Sequence, residues 1–546
     1  MSSRSKKASR AKAGKPGAKT IAKPARFKLS RGQIYAIFTV ILLIAAGLRF
    51  YEIKTVPPGL YLDEAADGTN AVQAWETGDF KVFYPEDNGR EGLYINVASV
   101  FIHFLGSTAW ALRLPATIFG LLTVWGIYAL TVELVSPVAG LAAAFFLATS
   151  YWHLNFSRIA FRAIGAPFFL VWALYILLLA FRRLRAGRGF AVLAAVAGVV
   201  YALGFYTYIA YRVTPILVVL VLSLLFVEAL QSGWLRRYWT AVSLFATCAA
   251  ATLYPLAAYI MSHPGTSTGR MSQVSVFQSA NPVLDIAGNI WKTVGMLYWK
   301  GDANWRHNFA SKPEVFWPVA LLMTLGIAVA IRKMFTRSSV AVLLPPSLLV
   351  LWIACGAVPA VLSNEGQPHA LRSILMLPPI VIFAAMGAVE ISSFVSTKIP
   401  MPMLSASVIV LACALVYETA NTYFFRWAVD PQTPEWFDGE GALMAAQLNS
   451  LPAKQPKVVA IDGPSEVDDP FFPSLMALRF LARGVTSKQQ DESNIHFYTP
   501  RTFPSRLPAG DPGAGDFCTQ VKTTMPQAAV TCIVLRKRTN PAVPAS

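Results

Sequence analysis

Residues 33–51 read QIYAIFTVILLIAAGLRFY, an apolar run of the length that crosses a bilayer as a helix. Similar runs recur along most of the 546-residue chain, of which 55% is hydrophobic and only 14% charged. Soluble domains carry about 25% charged residues, so this chain cannot cover itself with polar surface in water. The sequence therefore predicts an all-α polytopic membrane protein and excludes soluble enzymes, secreted disulfide scaffolds and fibrous proteins.

The number of membrane spans follows from the lengths of these runs and from the basic loops between them. Ten further runs make eleven spans with the first, at approximately 112–134, 137–153, 163–181, 189–208, 212–230, 238–260, 315–331, 340–362, 373–392 and 403–425. The run 93–105 is too short to cross, and we expect it to be a helix lying in the membrane interface. With that assignment the basic clusters at 182–188, 236–237 and 332–337 all fall in cytoplasmic loops, as the positive-inside rule requires.

This order of spans also predicts which segments face away from the cytoplasm. They are residues 52–111, 154–162, 261–314, 363–372 and 426–546. We expect a multi-pass protein of the plasma (inner) membrane, with a cytoplasmic N-terminus.

Three parts of the chain differ in composition. Residues 1–33 hold eleven of the Lys and Arg side chains and no acid, so they account for most of the net charge of +18. We interpret them as a disordered cytoplasmic tail that contacts anionic headgroups, and not as a nucleic-acid-binding segment. Residues 34–425 form the transmembrane domain. Residues 426–546 are rich in Pro, Gly, Asp and Ser and predict a small soluble α/β domain on the non-cytoplasmic face.

The C-terminal part gives a few local signals but no function. Strands are predicted at 457–461 and 531–535, with a helix over 474–482 between them. Cys518 and Cys532 could pair if this part faces an oxidising compartment.

Carboxylates are concentrated at the start of the first outer loop. The sequence YLDEAAD, residues 61–67, predicts the start of a short helix with Asp63 as its N-cap, and Asp63 and Asp67 on one face. One interpretation is a helix cap with solvated acids. The other is a general base held at the membrane surface, with Asp63 and Glu64 as the catalytic pair.

Cationic and amide side chains lie in the other outer loops. The candidates for binding phosphate are Arg90, Arg113, Arg158, Arg162, His369 and Arg372, and those for an acceptor pocket are Asp67, Asn155, Arg306, His307, Asn308 and Glu365. Any single arginine could simply extend toward lipid headgroups. Several on the non-cytoplasmic face are harder to explain in that way, because the positive-inside bias disfavours them there.

A carboxylate base with several arginines at a bilayer surface points to a lipid-phosphate substrate. In glycosyl transfer from a polyprenyl-phosphate sugar, the phosphate leaving group needs no acid, and arginines can stabilise its charge. The acceptor hydroxyl needs a base, and a single displacement inverts the anomeric carbon. The sequence therefore predicts an integral-membrane inverting glycosyltransferase that acts on a glycan, lipid or protein of the cell envelope.

The order of these motifs resembles that of the GT-C glycosyltransferases of family 39, which include protein O-mannosyltransferases and bacterial aminoarabinose transferases. The resemblance covers approximately residues 34–392. It rests on Asp63-Glu64, an interfacial helix, the sequence ALRLP at 111–115, and the segments 156–162, 301–308 and 363–372.

The resemblance implies roles for individual residues. Asp63 would be the base and Glu64 its neighbour in the acceptor site. Arg113 would match an arginine important in the protein mannosyltransferases, and His369 and Arg372 would bind the lipid phosphate. The sequence NGREG at 88–92 departs from the His-Pro-Pro or Lys-Pro of many relatives, so Arg90 would supply the cation there. The C-terminal part lacks a β-trefoil-like repeat, which disfavours protein as the acceptor.

Other interpretations remain open. We expect no metal cofactor, although Asp63, Glu64 and Asp67 could hold one divalent ion. The segment Asp302-Ala-Asn304 lacks the second acid of a D-x-D motif and is expected to have a structural loop role. Alternative functions are a transporter or flippase of lipid-linked sugars and an oligosaccharide ligase with a diphosphate-linked donor.

Overall fold

The computed structural model describes residues 29–86, 89–265, 273–336, 339–463, 465–504 and 517–535. Most of the basic tail lies outside these ranges, so its predicted disorder stays a prediction.

The transmembrane part is built almost wholly of helices. They are α1 (Arg31–Phe50), α2 (Leu62–Thr77), α3 (Leu93–Leu105), α4 (Ala109–Leu134), α5 (Pro137–Ala148), α6 (Tyr151–Arg158), α7 (Gly165–Arg185), α8 (Ala191–Leu203), α9 (Pro215–Ser232), α10 (Leu235–Ser262), α11 (Pro282–Tyr298), α12 (Trp317–Thr336), α13 (Val340–Val361), α14 (Leu377–Val395) and α15 (Met401–Ala420). A short antiparallel hairpin of β1 (Phe83–Tyr84) and β2 (Arg90–Glu91) lies in the first outer loop.

The predicted fold class is confirmed, with a difference in how some spans are built. Every predicted span falls on a helix, but only nine helices of the described residues are long and apolar enough to cross a membrane alone. The two predicted spans at 137–153 and 189–208 correspond to shorter apolar helices. Helix α5 stops because Ser150 caps a new helix, α6, by accepting a hydrogen bond from the backbone N–H of His153. The run 93–105 is a helix of 13 residues, too short to span, as predicted.

Helix α2 begins two residues earlier than predicted. Its N-cap is Tyr61, so the prediction that Asp63 caps the helix is wrong. The carboxylate of Glu64 accepts a hydrogen bond from the backbone N–H of Tyr61 at 3.0 Å, which is the return half of a capping box. Asp63 is therefore free of a capping role and lies within the first turn.

The C-terminal part contains a small α/β unit. Its helices are α16 (Gln432–Trp436), α17 (Gly439–Ser450), α18 (Pro473–Leu481), α19 (Ser487–Ser493) and α20 (Phe517–Thr524), and its strands are β3 (Lys457–Asp462), β4 (Ile495–Tyr498) and β5 (Ala529–Val534). The strands form a parallel sheet in the order β4-β3-β5, with Lys457 opposite Ile495 and Ala529. Both predicted strands and the predicted helix are present, and Cys518 and Cys532 form a disulfide between α20 and β5. The domain boundary at residue 426 stays a prediction.

The C-terminal unit packs directly on the first outer loop. The Phe480 ring of α18 is fully buried and lies so close to Gly68 of α2 that a Cβ there would be 2.8 Å from it. A second contact joins Gln489 to Ser107 through a hydrogen bond of 3.1 Å. Helix α2 is thus enclosed between the transmembrane helices and the C-terminal unit.

Candidate active site

Asp63 is the most accessible acid of the α2 N-terminus. Its side chain is 35% exposed, and its Oδ2 lies 3.5 Å from a guanidinium nitrogen of Arg306. The Arg306 guanidinium stacks on the ring of Tyr61, 3.6 Å from the ring centroid. The backbone of Arg306 is also fixed, because the amide of Asn155 donates a hydrogen bond to its carbonyl oxygen at 2.6 Å. The structure therefore brings a lightly paired carboxylate and a stacked arginine together from two distant loops.

Glu64, in contrast, is fully buried and saturated. It accepts hydrogen bonds from Nε of Arg113 at 2.8 Å and from the backbone N–H of Ala160 at 2.7 Å. The Arg113 side chain, also fully buried, donates in addition to the carbonyl oxygens of Pro57 and Gly59. This pair joins the first outer loop to α4 and leaves neither group facing solvent.

Asp67 and Arg90 form a second buried pair. Their side chains are each 1% exposed and meet at 2.5 Å, and Arg90 also donates to the side chain of Asn70. Burial raises the pKa of Asp67 to about 6, against the opposing effect of Arg90. The pair fixes the β1–β2 hairpin to α2.

Arg158 is, like Arg90 and Arg113, a predicted phosphate-binding arginine that is buried. It donates to the carbonyl oxygens of Leu48 at 3.0 Å and Arg49 at 2.7 Å, where α1 ends. Its guanidinium also lies over the rings of Tyr423 and Phe424, at 5.1 and 4.9 Å. These contacts satisfy the last carbonyl groups of α1 and tie α6 to the end of α15.

Arg162 and Arg372 keep part of their surface accessible. The Arg162 side chain is 19% exposed and lies 3.2 Å from Glu91, and that of Arg372 is 13% exposed and lies 2.9 Å from Glu365. Burial by itself would lower the pKa of Arg162, but Glu91, Asp67 and Asp63 raise it above its ordinary value. Arg162 therefore lies close enough to Asp63 for their charges to interact.

Tyr208, which was not among the predicted site residues, lies near several of them. It lies between two 3₁₀ turns, Gly204–Tyr206 and Ile209–Val213. The charged groups near it are Arg372, Arg162, Glu91 and Asp63. A signal for it exists in the sequence, because Tyr208 lies at the break between the predicted spans 189–208 and 212–230, in the Tyr-rich sequence YTYIAY at 206–211.

A separate cluster lies in the loop before α12 and the loop before α14. Oδ2 of Asp302 lies 2.7 Å from Nδ1 of His307 and 3.9 Å from Nδ1 of His369. Asp302 also accepts from the backbone N–H groups of Asn304 and Ala370, both at 2.8 Å, which supports the structural loop role expected for it. Burial lowers the pKa of His307, partly offset by Asp302. Asn308 does not face a pocket, because its amide donates to the carbonyl oxygens of Asp302 and Lys312.

Comparison with known proteins identifies the fold. Residues 94–260 match the family model described as dolichyl-phosphate-mannose-protein mannosyltransferase. The crystal structure of the Archaeoglobus fulgidus oligosaccharyltransferase in complex with Zn and sulfate is similar at a TM-score of 0.50 and 15% identity, over 85% of this chain and 62% of that one. The chain has the GT-C glycosyltransferase fold. The resemblance inferred from the motifs is thereby confirmed.

One more solved structure is similar to the chain at a lower TM-score. The structure of ArnT from Cupriavidus metallidurans bound to undecaprenyl phosphate has a TM-score of 0.49 and 13% identity, over 92% of this chain and 90% of that one. The chain spans less than two thirds of the archaeal oligosaccharyltransferase, and a comparison with curated proteins finds no match. The prediction of a glycosyltransferase agrees with the family model, which falls on the segment that carries Arg113, Arg158 and Arg162.

Proposed function

We propose that this GT-C protein transfers a sugar from a polyprenyl-phosphate donor to an envelope acceptor on the non-cytoplasmic face, with Asp63 as the general base. One observation carries the proposal: Asp63 is 35% exposed and lightly paired, whereas Glu64 and Asp67 are buried and form ion pairs with Arg113 and Arg90. A base must reach the proton that it removes, and of these three acids only Asp63 has exposed surface for that.

The proposed step is a single displacement. Asp63 accepts the proton of the acceptor hydroxyl while the hydroxyl oxygen attacks the anomeric carbon of the sugar. The bond from that carbon to the phosphate oxygen breaks, and its electron pair leaves with the polyprenyl phosphate. No acid is needed, because the phosphate departs as a stable anion, and the anomeric configuration inverts.

We assign the donor phosphate to the accessible arginines. Arg162 and Arg372 retain exposed surface and both act on Tyr208, and we assign the donor phosphate to these two guanidinium groups. Each charge-assisted hydrogen bond is worth roughly 1.5–3 kcal/mol. Their present partners, Glu91 and Glu365, would be exchanged for phosphate oxygens on binding.

Three of the predicted phosphate-binding arginines take a positioning role in this proposal, because they are buried. Arg90, Arg113 and Arg158 are at most 1% exposed and are held by carboxylates or carbonyl oxygens. Glu64 likewise positions the loop instead of binding an acceptor. Of the residues predicted for an acceptor pocket, we keep Arg306, which stacks on Tyr61 beside Asp63. Asn155 supports it by a hydrogen bond to its carbonyl oxygen.

Two observations support the donor class and the orientation. The matching family model describes enzymes that use dolichyl-phosphate mannose, which favours a lipid-phosphate donor. A disulfide between Cys518 and Cys532 is favoured in an oxidising compartment, in agreement with a C-terminal unit on the non-cytoplasmic face.

The experiment is turnover of a panel of polyprenyl-phosphate sugars by the purified full chain. We expect one donor to release polyprenyl phosphate, and Asp63→Asn to abolish that release. The matched control is Asp79→Asn, an acid on the same outer loop that is 65% exposed. Equal loss in both variants, or none in Asp63→Asn, would refute the assignment of the base. Absence of turnover with every donor would favour a flippase or a diphosphate-dependent ligase, which vesicle flipping assays and diphosphate-linked donors would then test.

A further inference from the structure

The loops before α12 and α14 bring three potential metal ligands together away from the carboxylates of α2. One ligand atom each of Asp302, His307 and His369 lies within 4.8 Å of the others. Oδ2 of Asp302 is 2.7 Å from Nδ1 of His307 and 3.9 Å from Nδ1 of His369. Two ligands of one tetrahedral ion at about 2.1 Å lie roughly 3.4 Å apart. Shifts of less than 1 Å would therefore place both pairs at coordination distance.

The carboxylate at the centre of this cluster is fixed and lacks a permanent cation. Asp302 is 3% exposed, and its oxygens are oriented by the backbone N–H groups of Asn304 and Ala370. Within the described residues its ion-pair partners are the two histidines, and neither Lys nor Arg lies within 4 Å of it. A buried carboxylate without a stable counter-charge is costly, and a bound cation removes that cost.

The surroundings also contain buried polar atoms that the described residues leave unsatisfied. Nε2 of His307, a side chain only 1% exposed, has no hydrogen-bond partner there. Oε2 of Glu314 is likewise unpartnered, although its other oxygen accepts from the backbone N–H of Asp302. The second buried carboxyl group beside Asp302 favours a cation over a neutral contact, and Nε2 of His307 points away from Asp302 and is not counted as a ligand.

We propose that Asp302, His307 and His369 form a binding site for one divalent transition-metal ion. Two imidazoles and one carboxylate are a ligand set suited to Zn²⁺, and three protein ligands leave a fourth position for water. The site differs from the acid cluster of α2 that the sequence suggested for a metal, and it revises the expectation that no metal binds. The ion would also tie the loop before α12 to the loop before α14.

The test is direct metal binding by the full chain, purified without a polyhistidine tag and stripped with a chelator. Calorimetry with Zn²⁺ is expected to give one ion per chain, and Co²⁺ is expected to give the visible absorption bands of a four-coordinate site. His307→Ala and His369→Ala should each lower the affinity for Zn²⁺ at least tenfold. His263→Ala, an exposed histidine outside the cluster, is the matched control and should bind as the wild type does.

Some results would overturn the proposal. They are a stoichiometry well below one ion, or unchanged affinity in both histidine variants that melt like the wild type. Loss of affinity in the His263→Ala control equal to that of the cluster variants would overturn it as well. Asp63→Asn should retain full Zn²⁺ affinity, so a failure of the proposed transferase activity and a failure of the metal site are separate outcomes.

Discussion

Removing the charge of Asp63 is expected to lower activity but not stability. Removing the charge of the adjacent Glu64 is expected to lower stability but not activity. Within the described residues Asp63 has one ion pair, at 3.5 Å with Arg306, and it is 35% exposed, so Asp63→Asn should change the free energy of unfolding by about 1 kcal/mol or less. The same variant should lower turnover by roughly 10²–10⁴-fold, the usual contribution of a general base.

Glu64→Gln should do the reverse. The Glu64 carboxylate accepts from the backbone N–H groups of Tyr61 and Ala160 and from two nitrogens of Arg113. A glutamine amide can accept hydrogen bonds through its oxygen only. At least one of these donors would therefore face the amide NH2 group, and the Arg113 charge would be left uncompensated. Breaking a buried ion pair on one side costs about 3–5 kcal/mol.

The assay pairs unfolding of both variants in detergent with turnover per folded molecule. We expect Glu64→Gln to unfold at a clearly lower temperature and to keep its activity while folded. Asp63→Asn should melt with the wild type and be inactive. A Glu64→Gln protein as stable as the wild type would refute the structural role of the pair, and an unstable Asp63→Asn protein would show that Asp63 is not lightly held.

Three further outcomes are expected. Because the folded state raises the pKa of Asp67 to about 6 while the unfolded value is about 3.9, Asp67 favours folding when protonated, and this stability is lost as pH rises from about 4 to 6. The stability lost over this pH range is about 3 kcal/mol, so Asp67→Asn should flatten the pH dependence of the free energy of unfolding. An unchanged pH dependence in this variant would contradict the assigned pKa. Arg162→Ala and Arg372→Ala should each raise KM for the donor about 10- to 100-fold with little change in melting temperature, whereas a pure stability loss would show that they are structural. Phe480→Ala should destabilise the protein by about 3–5 kcal/mol, measured as a lower melting temperature, and a silent variant would mean that α18 does not support α2.

Much of the fold was predictable because membrane spans depend on length and hydrophobicity alone. Every predicted span falls on a helix. What the sequence could not show is that α5 and α8 are short, because apolar residues continue past the points where Ser150 caps a new helix and where the chain at Gly204 turns into a 3₁₀ segment.

The candidate site was only partly predictable for a different reason. Residue type identifies a charge, but burial decides its role, and burial depends on tertiary contacts. Arg113 and Arg162 look alike in sequence, yet one is fully buried on Glu64 and the other keeps an exposed surface. The approach of His307 to His369 was also invisible, because the two residues lie in loops separated by α12 and α13.

The contact between Phe480 and Gly68 has a consequence for how this chain can change over time. A side chain at position 68 has no room unless the ring at position 480 becomes smaller, so the two positions are expected to vary together in descendants of this sequence. The C-terminal unit therefore cannot be exchanged between relatives as an independent module. It packs directly on the helix that bears Asp63, so we expect the C-terminal unit and the first outer loop to evolve together.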